Sequence, residues 1–403
     1  MELILQKLTL MNYFKCRKVC QSWRTKVNDA LSTEGRCPPK PHFPFLLCHP
    51  YAPDLPLSLL SLTENRLYSW PTQLDEEHLQ STQEINEYHY AYQVSSVDGW
   101  LFIQDFYIEL TIGLSYGLIC FYNPVSNAIL KLPKLSFFSG HDQYQTYCSS
   151  KLVVSSEKDR TDSITVILVL IKGEGGQLTQ HLSFCKVTNN SWTRIEIGEL
   201  VISDIVIHGC KLYAITKDEL FEFVMVFDLS NHNVVTSERL VCLDSKQRFI
   251  FHYFELYDGL EFYMNEEEPF LVRDSTCGEL LLVLCKIKCD SYVTWPKGFR
   301  IFKLDMSGPR WLKVEHMNDR IMLLDETGIQ VISATNLDGP LKSIRDNCVY
   351  FSLANKHYYK YSFPKHNIGV FSLINNSVTD THDHSDLSFQ ASYKSLWFSP
   401  SLL

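Results

Sequence analysis

The chain has 403 residues, of which 45% are apolar, 21% charged and 13% aromatic, an ordinary globular composition with enough Tyr and Phe for a large core. At roughly 100–200 residues per domain, this length admits one large all-β domain or two to three smaller ones. Thirty-seven Lys/Arg against 46 Asp/Glu give a net charge of −9, without the basic excess of a nucleic-acid surface, so nucleic acid is not an expected partner.

The chain opens on a basic helical region. Its first forty residues carry Lys7, Lys15, Arg17, Lys18, Arg24, Lys26, Arg36 and Lys40 against Glu2, Asp29 and Glu34. Leu3, Ile4, Leu5 and Leu8 make a short helical patch, and Thr9-Leu10-Met11-Asn12 reads as a cap and turn after it. Cys16, Val19, Cys20, Trp23, Val27 and Ala30 then recur every three or four residues, the period of an amphipathic helix. A helical Trp at this spacing serves a core more often than an interface. Residues 1–36 are therefore read as a small helical segment. Residues 37–44, Cys-Pro-Pro-Lys-Pro-His-Phe-Pro, are a stiff extended linker in which repeated proline stops any helix.

From residue 45 to residue 403 the helical period is gone. Short β-branched and aromatic runs take over at Trp100–Gln104, Ile164–Ile171, Lys211–Thr216, Leu280–Ile287 and Cys348–Leu353. Each is followed by a second run carrying Phe121, Phe184, Phe227, Phe302 or Phe371, then a polar turn and often another apolar pair. Such a repeated strand, loop, strand, turn, strand unit is the signature of a β-propeller blade. A sheet that cannot bury both faces alone is buried by its neighbours in a radial stack. Five blades are readable. A sixth comes from Phe43–Leu47 and Glu64–Trp70, closed by a strand near Ala391–Trp397. The expected fold is mainly β, a propeller of about six blades behind a small α-helical segment, with a pair of β-sandwiches as the alternative.

The longest apolar stretch, Ile164–Ile171, is far short of the roughly 20 residues of a membrane-spanning helix, so no membrane is expected as a partner. The start, Met1-Glu2-Leu3-Ile4, has no signal-peptide pattern. The 13 cysteines are odd in number and irregularly spaced, which reads as reduced core thiols in an intracellular protein, nuclear or cytoplasmic. No cofactor or metal is expected. His382-Asp383-His384 offers only part of a coordination shell, and Cys16/Cys20 and Cys285/Cys289 lack a second pair; Cys285 and Cys289 read as strand followed by loop. Lys172-Gly-Glu-Gly-Gly-Gln177 lacks the Lys-Ser/Thr ending of a phosphate loop and reads as a turn. Gly113-Leu-Ser115-Tyr-Gly117 matches the Gly-x-Ser-x-Gly pattern of a nucleophile elbow, yet the apolar run Leu118–Tyr122 behind Ser115 reads as strand, not helix. A hydrolase using Ser115 is thus a remote alternative, and no catalytic residue is assigned.

Val19-Cys20-Gln21-Ser22-Trp23-Arg24, preceded by Leu8-Thr9-Leu10 and Arg17, resembles the Val-Cys-x-x-Trp-Arg signature of F-boxes. That family is a three-helix module that docks on a Skp1-type adaptor and through it joins a cullin ubiquitin ligase. The resemblance implies adaptor contact at Leu3, Ile4, Leu8, Leu10, Val19, Cys20, Trp23 and Arg24. The family's leading Leu-Pro, part of its adaptor contact, and the start of its first helix are missing here, which the resemblance reads as an N-terminally truncated box: either the sequence starts too late or the box is decayed.

Asp98-Gly-Trp-Leu101, Tyr122-Asn-Pro-Val-Ser126, Leu130-Lys-Leu-Pro133, Cys210–Ala214, Trp311–Val314, Asn347–Phe351, Gly369–Phe371 and Leu396–Pro400 resemble pieces of the plant F-box proteins that carry a KIB-type β-propeller. What this implies is a non-enzymatic substrate-recruiting subunit whose propeller holds a protein client. The alternative is a propeller-only binding or inhibitory module whose incomplete box no longer engages the ligase.

Overall fold

The computed structural model describes residues 10–17, 19–32, 44–50, 57–62, 66–70, 89–97, 99–108, 115–123, 128–133, 147–155, 165–174, 177–186, 191–198, 200–217, 222–230, 236–242, 265–290, 293–334, 345–354, 366–380 and 393–399. These form two helices, α1 (Leu10–Arg17) and α2 (Gln21–Ser32), and 25 strands in six sheets.

In chain order, β1 (Phe45–Pro50), β2 (Leu57–Ser61) and β3 (Arg66–Trp70) belong to blade 1. Blade 2 is β4 (His89–Val97), β5 (Trp100–Ile108), β6 (Ser115–Asn123) and β7 (Ala128–Lys131). Blade 3 is β8 (Tyr147–Ser155), β9 (Thr165–Glu174), β10 (Gln177–Lys186) and β11 (Thr193–Ile195). Blade 4 is β12 (Val201–His208), β13 (Lys211–Lys217), β14 (Glu222–Asp228) and β15 (Thr236–Cys242). Blade 5 is β16 (Asn265–Arg273), β17 (Leu280–Asp290), β18 (Val293–Asp305) and β19 (Arg310–Val314). Blade 6 holds β20 (Arg320–Asp325), β21 (Gly328–Ser333), β22 (Cys348–Ala354), β23 (His366–Ser372) and β24 (Ser377–Asp380). The last strand, β25 (Tyr393–Phe398), returns to blade 1 and pairs antiparallel with β1, Phe45 facing Phe398 and Pro50 facing Tyr393.

The uninterrupted apolar runs seen in sequence have a direct cause: each sheet is covered on both faces, and alternate residues serve different interfaces. On β13, Leu212 and Ala214 pack with Ile167, Leu182 and Phe184 of blade 3, whereas Tyr213 and Ile215 pack with Leu271, Leu282 and Leu284 of blade 5. On β17, Leu281, Val283 and Cys285 turn the other way, towards Met322, Val349 and Phe351 of blade 6. Cys348 and Tyr350 of blade 6 meet Leu46, Leu60 and Trp397 of blade 1. Phe45, Leu47 and Leu396 of blade 1 meet Leu101 and Tyr122 of blade 2, and Phe102 and Phe121 of blade 2 meet Val166 of blade 3. The cores thus run through every blade and return to the first. Inner strands follow the same circuit, β25 beside β4, then β8, β12, β16 and β21, with β20 beside β25. Two β-sandwiches would pair sheets two by two instead, so the architecture is a closed six-bladed propeller.

Blade 6 departs from the four-stranded antiparallel plan. The hairpin β20–β21 puts β21 innermost and wedges β20 parallel to β22, Ile321 opposite Cys348 and Leu324 opposite Phe351.

Buried and half-buried polar groups staple neighbouring blades. The Trp192 indole N–H donates to the Pro133 carbonyl (2.8 Å), and the Gln180 amide donates to the Ile202 carbonyl (3.0 Å) while accepting the Ile202 N–H (2.5 Å). Asp204 of β12 accepts the Leu271 N–H of β16 (2.6 Å). Asn347, itself at φ 52°, accepts the Met317 N–H and donates to the Asn318 carbonyl, both at 2.7 Å, tying the exit of blade 5 to β22. Since a buried polar group without a partner costs about 1–3 kcal/mol, the buried Asp204 and Asn347 bonds add specific ties between blades to the apolar packing.

Three local expectations are corrected. The helix expected through Cys16–Ala30 is broken between Arg17 and Gln21: the Val19 N–H bonds the Cys16 carbonyl (3.2 Å), a tight three-residue step that ends α1. Leu10-Met11-Asn12, expected as a cap and turn, lies inside α1. Cys289, expected in a loop, lies in β17, where Cys289 pairs with Thr294 of β18.

Candidate functional site

The N-terminal helices hold the residues that the sequence singles out. Leu3, Ile4 and Leu8 lie outside the described residues, and Leu10 opens α1. Val19 sits in the step between the helices and is 66% exposed, because the break in helical phase swings it off the stripe it was expected to share with Cys16 and Trp23. Cys20 is exposed and its carbonyl starts α2 by accepting the Arg24 N–H (2.9 Å). Trp23 is half-buried. Arg24 is exposed and its Nε–H donates to the Arg17 main-chain carbonyl (3.3 Å), capping the C-terminal end of α1.

The helix pair is anchored by Tyr13 and Val27, both with no exposed surface. Sequence reasoning included Val27 and missed Tyr13, although extending the apolar spacing three residues back from Cys16 reaches it. The helices also touch the propeller: Lys15 Nζ lies 5.9 Å from the centroid of the Tyr68 ring on β3. Arg66 stands 5.2 Å from the same ring, and Phe45 meets it edge-on at 6.3 Å.

The electrostatics of this end are those of crowded cations. Burial, and then the positive charge of Arg24, lower the proton affinity of the Arg17 guanidinium below its ordinary value. Burial raises the Cys16 thiol pKa, the opposite of what activates a cysteine nucleophile.

The remaining motifs resolve into strand geometry. Ser115 is the first residue of β6 and pairs with Ile108 of β5; a strand follows it, not the helix that an exposed nucleophile needs. Glu174 pairs with Gln177, so Lys172–Gln177 closes the β9–β10 hairpin. Cys285 is buried. His382, Asp383 and His384 lie outside the described residues. Among the described residues there is no group of three or more His, Cys, Asp or Glu able to hold a metal ion, and no helix long and apolar enough to cross a membrane.

Two basic helices thus stand ahead of a closed six-bladed propeller. Among known families, the F-box domain model matches residues 1–33 and the KIB1-4 β-propeller model matches residues 59–372. The chain belongs to the KIB1-4 β-propeller family, and with its F-box it is a plant-type F-box/KIB propeller protein. A putative F-box protein of Arabidopsis thaliana is 22% identical over 412 residues, covering 99% of this chain and 91% of the relative. A second putative F-box protein of that plant is 26% identical over 50% of this chain and 47% of its own length. A probable F-box protein, also from Arabidopsis thaliana, is 28% identical over 55% of this chain and 51% of its own length. F-box domains in general bind Skp1.

Proposed function

We propose that this chain is a substrate-recruiting subunit of a Skp1–cullin–F-box ubiquitin ligase, with the F-box helices on the adaptor and the propeller on a protein client. The observation that carries this reading is the union in one chain of an F-box match over residues 1–33 with a KIB1-4 propeller match over residues 59–372. Its mechanism is proximity: the adaptor end and the client end of one molecule raise the client's effective concentration beside the charged conjugating enzyme. The chain itself carries no catalytic step in this reading, and ubiquitin transfer belongs to its partners. The protein works in the nucleus or cytoplasm, a reading supported by the nine free thiols among the described cysteines.

Calorimetric titration of the full chain with a purified Skp1-type adaptor tests it, beside a chain beginning after Pro44. Micromolar or tighter binding that is lost on truncation supports ligase recruitment. A folded full-length sample that gives no heat with the adaptor overturns it and leaves the propeller-only binding module.

A further inference from the structure

We infer that an acidic helix of the client seats over blade 4, against the basic side of the taller β17–β18 hairpin of blade 5. This rests on the reading that the propeller holds a protein client, and it names the place and the chemistry of the contact. The Asp204–Leu271 bond sets the two blades level, with Ile215 of β13 opposite Asp204 and Leu282 of β17 opposite Leu271. Beyond that level β13 runs two residues, to the last rung Lys217–Glu222, whereas β17 runs eight, to Asp290–Val293. At roughly 3.3 Å per residue the blade 5 hairpin stands about 20 Å higher. On the other side the Gln180–Ile202 bonds set Ile171 of β9 level with Thr216 of β13, and β9 runs on to Glu174. Blade 3 is thus about 7 Å higher than blade 4. With sheets about 10 Å apart, the two flanking hairpins stand roughly 20 Å from each other, room for one helix about 10–12 Å across.

The wall that blade 5 turns to this groove is basic. Leu282 and Leu284 face blade 4, so Lys286 continues their row, and Arg300, opposite Leu284 in the ladder, shares it. Lys286 is exposed, while Cys285 and Ile287 on the alternate row are buried against blade 6; blade 4 ends too low to cover its side. Lys297, the extra residue of the β18 bulge, is exposed beside them. Against these three cations the row holds Glu267, paired with Arg300, whereas Glu268 stands opposite Cys285 on the blade 6 row. Lys288 and Asp290 at the hairpin tip offset each other. The surplus positive charge calls for carboxylates on the occupant, in a chain whose net charge is −9.

The test selects binders to the full chain from a displayed library of helical peptides of about 20 residues, roughly 30 Å long, with random exposed positions. The enriched peptides are titrated at low and high salt against wild type, Lys286→Glu/Lys297→Glu and, as a control on the outer strand β19, Arg310→Glu/Lys313→Glu. Thermal melts check folding, and the same proteins are titrated with a Skp1-type adaptor. The expected result is enrichment of acidic peptides that lose at least about tenfold in affinity at high salt and on reversal of Lys286 and Lys297, but not on reversal in β19. Adaptor binding should be the same in all three proteins. Should the Lys286/Lys297 variant fail to fold, the salt dependence of wild type decides. Enriched peptides without acidic bias, or affinities indifferent to salt and to that reversal, overturn the inference and leave adaptor recruitment standing. Equal losses from both reversals would show attraction to the whole charged surface and overturn it too. Loss of adaptor binding with charge-sensitive peptide binding retained would instead remove ligase recruitment and support the groove.

Discussion

The carboxylate of Asp325 accepts the backbone N–H of Trp397 at 2.8 Å, and the Trp397 indole N–H returns to the carbonyl of Leu324 at 3.0 Å. This reciprocal pair joins the end of β20 to β25, the strand that closes the ring against β1. Both side chains are buried, Asp325 at 3% exposure and Trp397 at none. A second contact nearby, between the hydroxyls of Ser352 and Ser395 (2.5 Å), ties β22 to the same strand. Closure of the propeller therefore rests on polar bonds as well as on the core around Leu46, Tyr350 and Trp397.

Asp325 also accepts the Thr327 N–H (2.7 Å) and hydroxyl (2.6 Å), yet burial dominates and its pKa is raised above the ordinary 3.8. A raised folded pKa means that the native state holds its proton longer than the unfolded chain, so stability falls as pH climbs from about 3.8 through the folded value. Asp325→Ala should cost about 1–3 kcal/mol by orphaning the Trp397 and Thr327 donors. Asp325→Asn should cost less, because it keeps an acceptor and sheds the charge, and its disadvantage should shrink as pH rises. Urea melts across that range check this; an Asn variant that loses ground at higher pH would contradict the sign.

Asp274 behaves in the opposite sense. Burial pushes its pKa up, but hydrogen bonds from Thr276 and Arg320 outweigh that and the net shift is downward. Its carboxylate has no exposed surface and pairs with Arg320 at 2.5 Å, joining the β16–β17 turn to β20. The stability it contributes is present above the unfolded pKa, about 3.8, and lost as pH falls through the lower folded value. Arg320→Ala should cost about 3–5 kcal/mol at neutral pH, because it strands a buried charge. Arg320→Ala/Asp274→Ala should recover part of that loss, and the gap between wild type and Arg320→Ala should narrow below pH 3.8. A double variant no better than the single one, measured in the same melts, would sink the ion-pair account.

How far the sequence reveals this architecture can be followed strand by strand. Phe121, Phe184, Phe227, Phe302 and Phe371 fall on β6, β10, β14, β18 and β23. These strands and their inner neighbours are buried on both faces, and that double burial leaves a clear apolar run. The innermost strands leave a poorer trace. β16 begins Asn265-Glu-Glu-Glu-Pro269, which reads as loop; yet Glu267 sits opposite Lys286 in the ladder and ion-pairs with Arg300 on β18. The wedge of β20 beside β22 is not legible, since its parallel register is set by partners that lie more than twenty residues on. At the N-terminal end, composition and period reveal the helices and their charge. They do not reveal the step at Val19, because one three-residue hydrogen bond shifts the helical phase without changing the spacing of apolar residues.

Gly369 on β23 shows why a small residue is needed beside a large one. A Cβ added there would fall on the Phe351 ring of the neighbouring strand β22, 2.9 Å from Cε1. Phe351 is fully buried among Val283, Val349 and Phe371 and has nowhere to go. Gly369→Ala should therefore cost about 1–3 kcal/mol by overpacking. Adding Phe351→Leu should restore part of it, giving a favourable coupling in a double-mutant cycle. Additive losses would show that the two side chains do not compete for the same space.

Val19→Asp isolates docking from folding. At 66% exposure, Val19 makes little of the core, so the substitution should leave the thermal melt and the β-sheet circular dichroism unchanged. Placing a carboxylate at the centre of an apolar contact should weaken adaptor binding at least about tenfold, because the new charge must be desolvated without a partner. Trp23 is half-buried, so Trp23→Ala should lower both helix stability and binding, and the pair of changes together should abolish adaptor pull-down with the propeller intact. Wild-type binding by a folded Val19→Asp protein would mean that the adaptor does not sit on the step between α1 and α2. The Cys16–Val19 hydrogen bond that turns this residue outward would then serve the helix pair alone.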